Sequence, residues 1–265
     1  MANKKDYFVD SVEESQKEKI QRESTFNGLS ASEWAKGSRS VWNDLPFPRS
    51  ENKVSGQDVI DEEVYARIIS MYSKEDDTIL DPFMGYGNSL VAAIHNNRHA
   101  LGFETDPVKF VEANNHLVNS MNLLVNSDYR TYNGYFDEYA DYIEPNSIQL
   151  AVTSVMYNVE EKENANFSYE DFLYNYDQML ARAYDKIKVG GYVALIVRDF
   201  RDISNGRPYV ECHSDVAKLG VKHGFLYQDV IIYDHNDSRG RLLLGYPSVF
   251  YVNMNHSYIV ILRKQ

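Results

Sequence analysis

A chain of 265 residues, 43% apolar and 13% aromatic, is long enough to bury one large core and is expected to form one domain. No apolar run approaches the roughly 18 residues of a membrane span, and MANKKDYFVDSVEESQKEK is too polar for a secretory leader, so a soluble, cytoplasmic protein without membrane contact is expected. A net charge of -12 counts against nucleic-acid binding, which needs cations against phosphates, and the single Cys212 with no Cys/His cluster at ligand spacing speaks against disulfides and structural zinc.

The charge objection is weakened by segregation, since Arg198, Arg201, Arg207, Arg239, Arg241 and Arg263 all fall in the C-terminal part. Residues 1–28 read as a polar N-terminal arm and residues 29–265 as the folded domain. Ser30 is placed to cap a helix starting at Ala31, with Glu33 completing a capping box. LPFPRSENKVSGQ reads as loop, and DVIDEEVYARIISMYS spaces Val59, Ile60, Val64, Ile68, Ile69 and Tyr72 for a helix with one buried face. Beyond it, strand-like TILD, ALGFE, YRTYN, IQLAVTS, YVALIVRD and VIIYD alternate with helix-like SLVAAIHNN, PVKFVEANNHLVNSM and SYEDFLYNYDQMLARAYDKIK. Such alternation specifies an α/β fold, a mostly parallel sheet with helices on both faces, which the final SYIVILRK can close as an antiparallel strand.

Between the first of these strands and its helix lies Asp81-Pro82-Phe83-Met84-Gly85-Tyr86-Gly87-Asn88-Ser89. Ligands of open α/β sheets bind at the carboxyl ends of strands, where glycines admit a close backbone and a helix N-terminus offers N–H groups. Glu104 follows Asp81 by 23 residues, at the end of the second strand, where it can accept hydrogen bonds from two ribose hydroxyls. The whole run, D-P-F-x-G-x-G after a strand and G-F-E-T-D-P ending the next, resembles the amino-group DNA methyltransferases, which act on exocyclic nitrogens of bases.

The resemblance extends from about Leu29 to Lys264 and implies a Rossmann-like methyltransferase fold with a seven-stranded sheet. It implies S-adenosyl-L-methionine as cofactor, held by Asp81, Pro82, Phe83, Gly85, Gly87, Asn88 and Ser89, with Glu104 and Thr105 at the ribose and Ile60 near the methionine moiety. Asn133, ending the third strand, falls where an adenine contact is expected, with Tyr135 and Asp137 competing for that role. Asp106, by contrast, is better read as an N-cap before Pro107. KIKVGGYVALIVRD is similar to the family's hairpin-like turn and fifth strand.

At the end of the fourth strand the family carries Ser/Asn/Asp-Pro-Pro-aromatic, and here the text is Ser154-Val155-Met156-Tyr157. The resemblance implies that Ser154 and the next carbonyl accept the protons of a poorly nucleophilic amine while Tyr157 stacks on an extruded base. Val155 and Met156 replace the two stiffening prolines, so three activities stay open: transfer to a base amine, transfer to another acceptor, or binding of cofactor or nucleic acid without turnover. Ser154 in place of an acid resembles the subset acting on cytosine N4 rather than adenine N6.

Target recognition has two candidate segments, the acidic loop VEEKENANFSYED and the stretch YDHNDSRGRLLLGYPSVFYVNMNH, with Arg239, Arg241 and Tyr246 as substrate contacts in the second. Asp199 can line the substrate cleft or form a surface ion pair with Arg198 or Arg201, and His213, His235 and His256 are expected at the surface or in loops. The expected partner is DNA, as in restriction-modification, reached directly or through a basic partner subunit, and a homodimer is open to the chain.

Overall fold

The computed structural model describes residues 26–46, 60–121, 127–154, 168–235, 251–252 and 254–265. Helix α1 spans Ala31–Gly37, with Ser30 and Glu33 forming the expected reciprocal capping box. Just before it, Phe26–Gly28 make a 3-10 turn, and Asn27 Nδ2 donates to the Met71 carbonyl (2.9 Å). Strand β1, Val41–Trp42, is followed by α2, Glu62–Tyr72, and β2, Thr78–Asp81. Then come α3 (Asn88–His95), β3 (His99–Glu104), α4 (Pro107–Ser120), β4 (Tyr129–Asn133), the single turn α5 (Phe136–Tyr139) and β5 (Ile148–Ser154). The chain continues through α6 (Tyr169–Lys186), β6 (Ile187–Val197), a small hairpin of β7 (Phe200–Asp202) and β8 (Arg207–Val210), α7 (Cys212–Lys222), β9 (Phe225–Asp234) and β10 (His256–Lys264).

The main sheet has the order β1-β9-β10-β6-β5-β2-β3-β4. Its pairings from β6 to β4 are parallel, and β10 runs antiparallel to both neighbours, so the expected mostly parallel sheet with an antiparallel closing strand is what forms. An eighth strand is added to the expected seven: β1 pairs parallel with β9 through Val41 and Trp42, a segment too short to show a period of two in the sequence. Trp42 is fixed there by burial and by its indole N–H donating to the Gly37 carbonyl (3.1 Å).

Both faces of the sheet are covered. Alternate residues of one strand enter different cores, as with Ala194 and Ile196 against Val193, Leu195 and Val197 of β6. The first set packs with α2, α3 and α4, and the second with α5, α6 and α7. This is why the central strands read as unbroken apolar runs rather than alternating ones.

The sequence reading differs from the structure in two further places. KIKVGG is not a turn before the fifth strand; the chain is already paired at Ile187, and a bulge between the Ile148–Ile187 and Leu150–Tyr192 pairs absorbs the intervening residues, with Gly190 at φ 81°. The hairpin β7–β8 and helix α7 lie in a stretch to which no element was assigned. Within α7, a Cβ on Gly220 would run into the Leu262 side chain of β10, so close packing demands a residue that weakens the helical signal.

Candidate active site

Strands β3, β2, β5 and β6 lie side by side and bring Glu104, Asp81, Ser154 and Val197 to one edge of the sheet. Between β2 and α3 the residues from Pro82 to Gly87 form a tight loop. Its turn is secured from below, where the Met84 amide donates to the Phe103 carbonyl of β3 (2.9 Å) and Gly87 donates back to the Met84 carbonyl (2.8 Å). Gly87 stands at φ 84° as the N-cap of α3, and a Cβ there would sit 3.3 Å from that of Ala113 in α4. Gly85, at φ 52°, faces open space instead. Side chains are thus barred at Gly87 by the fold and at Gly85 by backbone conformation, leaving a bare ledge above the strand ends.

Asp81 is 1% exposed, and its carboxylate accepts from the Phe83 amide (3.0 Å) and the Ser89 hydroxyl (2.5 Å). Burial pushes this carboxyl up to about 6, although its two donors favour the anion. Phe83 is half-buried against Tyr176, 6.0 Å between ring centroids, and Pro82 and Ser89 are buried. Asn88, the first residue of α3, donates through Nδ2 to the Ile60 carbonyl (2.9 Å), so the loop is tied to the start of α2, where Ile60 is buried.

At the next strand end Glu104 is partly exposed and accepts from the Asp106 amide (2.8 Å). Asn133 of β4 donates to the carbonyls of Glu104 (2.8 Å) and Thr105 (3.3 Å), so these three residues form one rim beside the ledge. Of Asn133's competitors, Tyr135 is exposed, and burial raises the Asp137 carboxyl. Asp106 acts as the N-cap of α4, accepting from the amides of Val108 (2.8 Å) and Lys109 (3.4 Å).

Ser154 ends β5, in register with Ile196 of β6. Val155, Met156 and Tyr157 lie outside the described residues, as do Arg239, Arg241, Tyr246 and Val59. Tyr65 of α2, which sequence reasoning passed over, is buried at 6% exposure, and α2 packs against β5, the strand that Ser154 ends. Burial, with the nearby Asp81 carboxylate, raises the Tyr65 hydroxyl well above its ordinary range, so it stays protonated. The helical spacing read from the sequence placed Val64, Ile68 and Ile69 on the buried face of α2 and did not include Tyr65.

Asp199 is neither a cleft-lining free acid nor half of a surface ion pair with an arginine. It is 2% exposed and accepts from the Tyr209 hydroxyl (2.9 Å) and from His213, through its amide (3.1 Å) and Nδ1 (2.8 Å). Arg201 turns the other way, to the carbonyls of Pro208 (2.9 Å) and Val252 (3.1 Å), with its guanidinium 4.4 Å from the centre of the Tyr251 ring. His213, on α7, stacks on Tyr258 at 4.0 Å, and His256 opens β10, so neither lies in a loop; His235 follows β9 outside any strand, as expected of a loop residue, but is buried against the Ser257 hydroxyl (2.9 Å).

Residues 1–115 match the family model described as DNA methylase. Over this stretch the chain is similar to the DNA methylases. Two curated methylases agree: Type II methyltransferase M.BglI of Bacillus subtilis is 31% identical over 90 residues, 34% of this chain and 25% of that protein. M.MthZI of Methanothermobacter thermautotrophicus is 32% identical over 92 residues, again 33% of this chain and 25% of the relative. These alignments therefore cover only a quarter of the length of the curated methylases. Among solved structures, TrmN from Thermus thermophilus superposes with a TM-score of 0.52 at 13% identity, covering 77% of this chain and 48% of that one. At that identity the likeness is one of fold, and it takes in more of the chain than the family match does.

The residues present fit S-adenosylmethionine. A bare ledge at Gly85, a buried carboxylate at Asp81 and an accessible one at Glu104 offer, in that order, room for a close ligand, negative charge near a cationic centre, and acceptors for vicinal hydroxyls. None of the described helices is long and apolar enough to cross a membrane.

Proposed function

We propose that this chain transfers a methyl group from S-adenosylmethionine to an exocyclic amine of a DNA base, with cytosine N4 preferred to adenine N6. The observation that carries the reading is the convergence of Asp81, the Gly85–Gly87 loop, Glu104 and Ser154 on the carboxyl ends of three adjacent strands, β3, β2 and β5. The cofactor supplies an electrophilic methyl on a sulfonium; Gly85 admits it, Glu104 holds its ribose, and Asp81 sets a negative potential beneath it. With the cofactor bound, Ser154 would accept a hydrogen bond from the amine and turn nitrogen density toward the methyl group that the cofactor would supply, and the amine proton would pass to solvent.

The serine supports a cytosine acceptor because it offers a neutral hydroxyl where an acid would draw more strongly on the amine. Activity on DNA requires cations to offset the charge of -12, and the C-terminal arginines Arg239 and Arg241, with Tyr246, are the proposed contacts to the target strand.

Isothermal titration with S-adenosylmethionine, on the wild type and on Glu104→Ala and Gly85→Val, tests the cofactor site. Binding by the wild type that both substitutions abolish is expected, and a wild type that fails to bind sinks the enzymatic reading. Labelled methyl donor with unmethylated duplex DNA, followed by nucleoside digestion, then tests the acceptor: N4-methylcytosine is expected. N6-methyladenine corrects the base, and label appearing only in RNA or protein arms moves the activity to another acceptor.

A further inference from the structure

We propose that Arg201, Tyr209 and Tyr251 form a contact surface for one strand of the DNA substrate, with Arg201 on a phosphate near the target base and the tyrosine rings beside neighbouring bases. The inference rests on the reading of DNA as the substrate. In a chain with 39 acidic and 27 basic residues, a surface cation ordinarily finds a carboxylate. Arg67 meets Asp44 (2.7 Å), Lys188 meets Asp77 (2.8 Å), Arg207 meets Asp202 (3.2 Å) and Lys222 meets Asp177 (2.7 Å). Among the described residues Arg201 meets none: Nη1 donates to the Pro208 carbonyl (2.9 Å) and Nη2 to the Val252 carbonyl (3.1 Å). Its guanidinium lies 4.4 Å from the centre of the Tyr251 ring and 5.7 Å from that of Tyr209. Each Nη carries a second hydrogen, so donors remain for the oxygens of a phosphate, and no ion pair has to break before one binds.

The surface is held in shape before any ligand arrives. Tyr209 is 43% exposed, yet its hydroxyl donates to the buried Asp199 carboxylate (2.9 Å), which also accepts from the His213 amide (3.1 Å) and Nδ1 (2.8 Å). The acid therefore fixes the ring from below and leaves the charge of Arg201 uncompensated. A fixed cation between aromatic rings suits a strand whose bases have left the stack, because the rings take bases of any identity and the guanidinium takes the backbone.

Topology puts this surface at the working end of the sheet. Strand β7, which carries Arg201, follows directly on the carboxyl end of β6, and β6 pairs with β5, the strand that Ser154 ends. Tyr258 of β10 pairs with Val197, the last residue of β6, so antiparallel β10 begins at this same end, and Tyr251 and Val252 arrive just before it. An extruded base directed at Ser154 leaves its flanking phosphates over the neighbouring strand ends, where Arg201 stands.

The experiment is fluorescence anisotropy of a short labelled DNA duplex, and of one of its strands alone, titrated with the full chain over a series of salt concentrations. Arg201→Gln is expected to weaken binding about fivefold at low salt whatever the sequence, and to reduce the slope of log affinity against log salt by about 1. Lys222→Gln, which removes the same charge from a cation already paired, is expected to keep the wild-type slope. Arg201→Lys separates charge from scaffolding: a lysine cannot hold both carbonyls but keeps the cation, so it should retain the slope. Titration with S-adenosylmethionine, unchanged in all three variants, checks the fold. A wild-type slope in Arg201→Gln, or an equal loss in Arg201→Lys, overturns the proposal and leaves DNA as the substrate. A wild type that binds neither duplex nor single strand at low salt brings down the DNA reading and this proposal with it.

Discussion

At the amino ends of the parallel strands the buried charges are cations, and at the carboxyl ends they are anions. Among the described residues the buried lysines and arginine, Arg98, Lys186 and Lys264, all lie at the first end, and the buried aspartates, Asp81, Asp199 and Asp202, at the second. The cations are spent on the protein itself. Lys264 Nζ donates to the carbonyls of Tyr184 (2.6 Å) and Ile187 (3.0 Å) and to Asn146 Oδ1 (2.9 Å), and Arg98 donates to the carbonyls of Ser73 (2.8 Å) and Asn96 (2.5 Å). Asp81 is different: its donors are an amide and a hydroxyl, not a cation, which leaves an anion under-compensated below the bare glycine ledge. One end of the sheet is closed by its charges, and the other keeps at Asp81 a buried carboxylate whose donors are neutral.

Removing a charge should therefore have opposite consequences at the two ends. The largest effect is expected for Lys264→Met, which keeps most of the side-chain volume and strands three acceptors in a site 8% exposed; on the order of 4 kcal/mol of stability should be lost, measured by urea unfolding, with cofactor affinity of the folded protein unchanged. A variant that unfolds like the wild type would break the comparison, because the amino-end cations would then be incidental.

Next comes Asp81→Asn, where stability should rise. The folded-state carboxyl, at about 6, lies above its ordinary 3.8, so the folded protein holds this proton more tightly than the unfolded chain does. Below pH 4 the group is neutral in both states and burial costs nothing; between 4 and 6 the cost grows, and above 6 it is fully present, about 3 kcal/mol at the limit. Asparagine escapes that cost, so its melting temperature should exceed the wild type's at pH 8 and match it at pH 4, while S-adenosylmethionine binding at pH 8 falls. A gain in stability with a loss of binding is the signature of an anion kept for a ligand.

The glycines sharpen the same contrast at smaller cost. Gly87→Ala puts a Cβ at a left-handed backbone position, 3.3 Å from that of Ala113, and should cost about 2 kcal/mol by thermal unfolding. At Gly85 the added Cβ meets nothing, so Gly85→Ala should retain more stability than Gly87→Ala and yet weaken cofactor binding, because the space it enters is the ledge. Equal cofactor affinity in Gly85→Ala and the wild type would move the ligand elsewhere.

The same division explains what could be read from the sequence. Asp81 to Ser89 and Gly102 to Pro107 are contiguous segments whose chemistry and conformation are written side by side, so the ledge, the rim and the cap at Asp106 were legible in the order of residues. The long apolar strands were legible too, since burial on both faces leaves an unbroken run. Contacts between distant segments were not. Asp199 finds Tyr209 and His213 because a short hairpin and a helix fold back over β6. Neighbouring Arg198 and Arg201 made an ion pair the economical reading for Asp199, but a strand end turns successive side chains to different sides, and proximity in sequence is then a poor guide to pairing. Strand β1 and helix α7 escaped for local reasons, two residues being too few for periodicity and Gly220 lowering the helical signal.

The smallest expected effect separates a structural acid from a functional one within the site itself. Asp106 stands two residues from Glu104, and both are carboxylates at the edge of the rim. Asp106 faces its own helix: Oδ1 accepts from the amides of Val108 and Lys109, and Pro107 in the first helical position needs no donor satisfied. Its connection to Glu104 runs through its backbone amide, which any residue supplies. Asp106→Ala should accordingly cost about 1 kcal/mol by thermal unfolding, the ordinary value of a lost cap, and leave S-adenosylmethionine affinity intact. Glu104→Ala should do the reverse, binding cofactor poorly with little loss of stability, because its partly exposed carboxylate holds one loop amide and is otherwise available to ribose hydroxyls. If the two variants exchanged these behaviours, the ribose contact would belong to Asp106 and the cap would be dispensable, and the rim would have to be redrawn two residues further along.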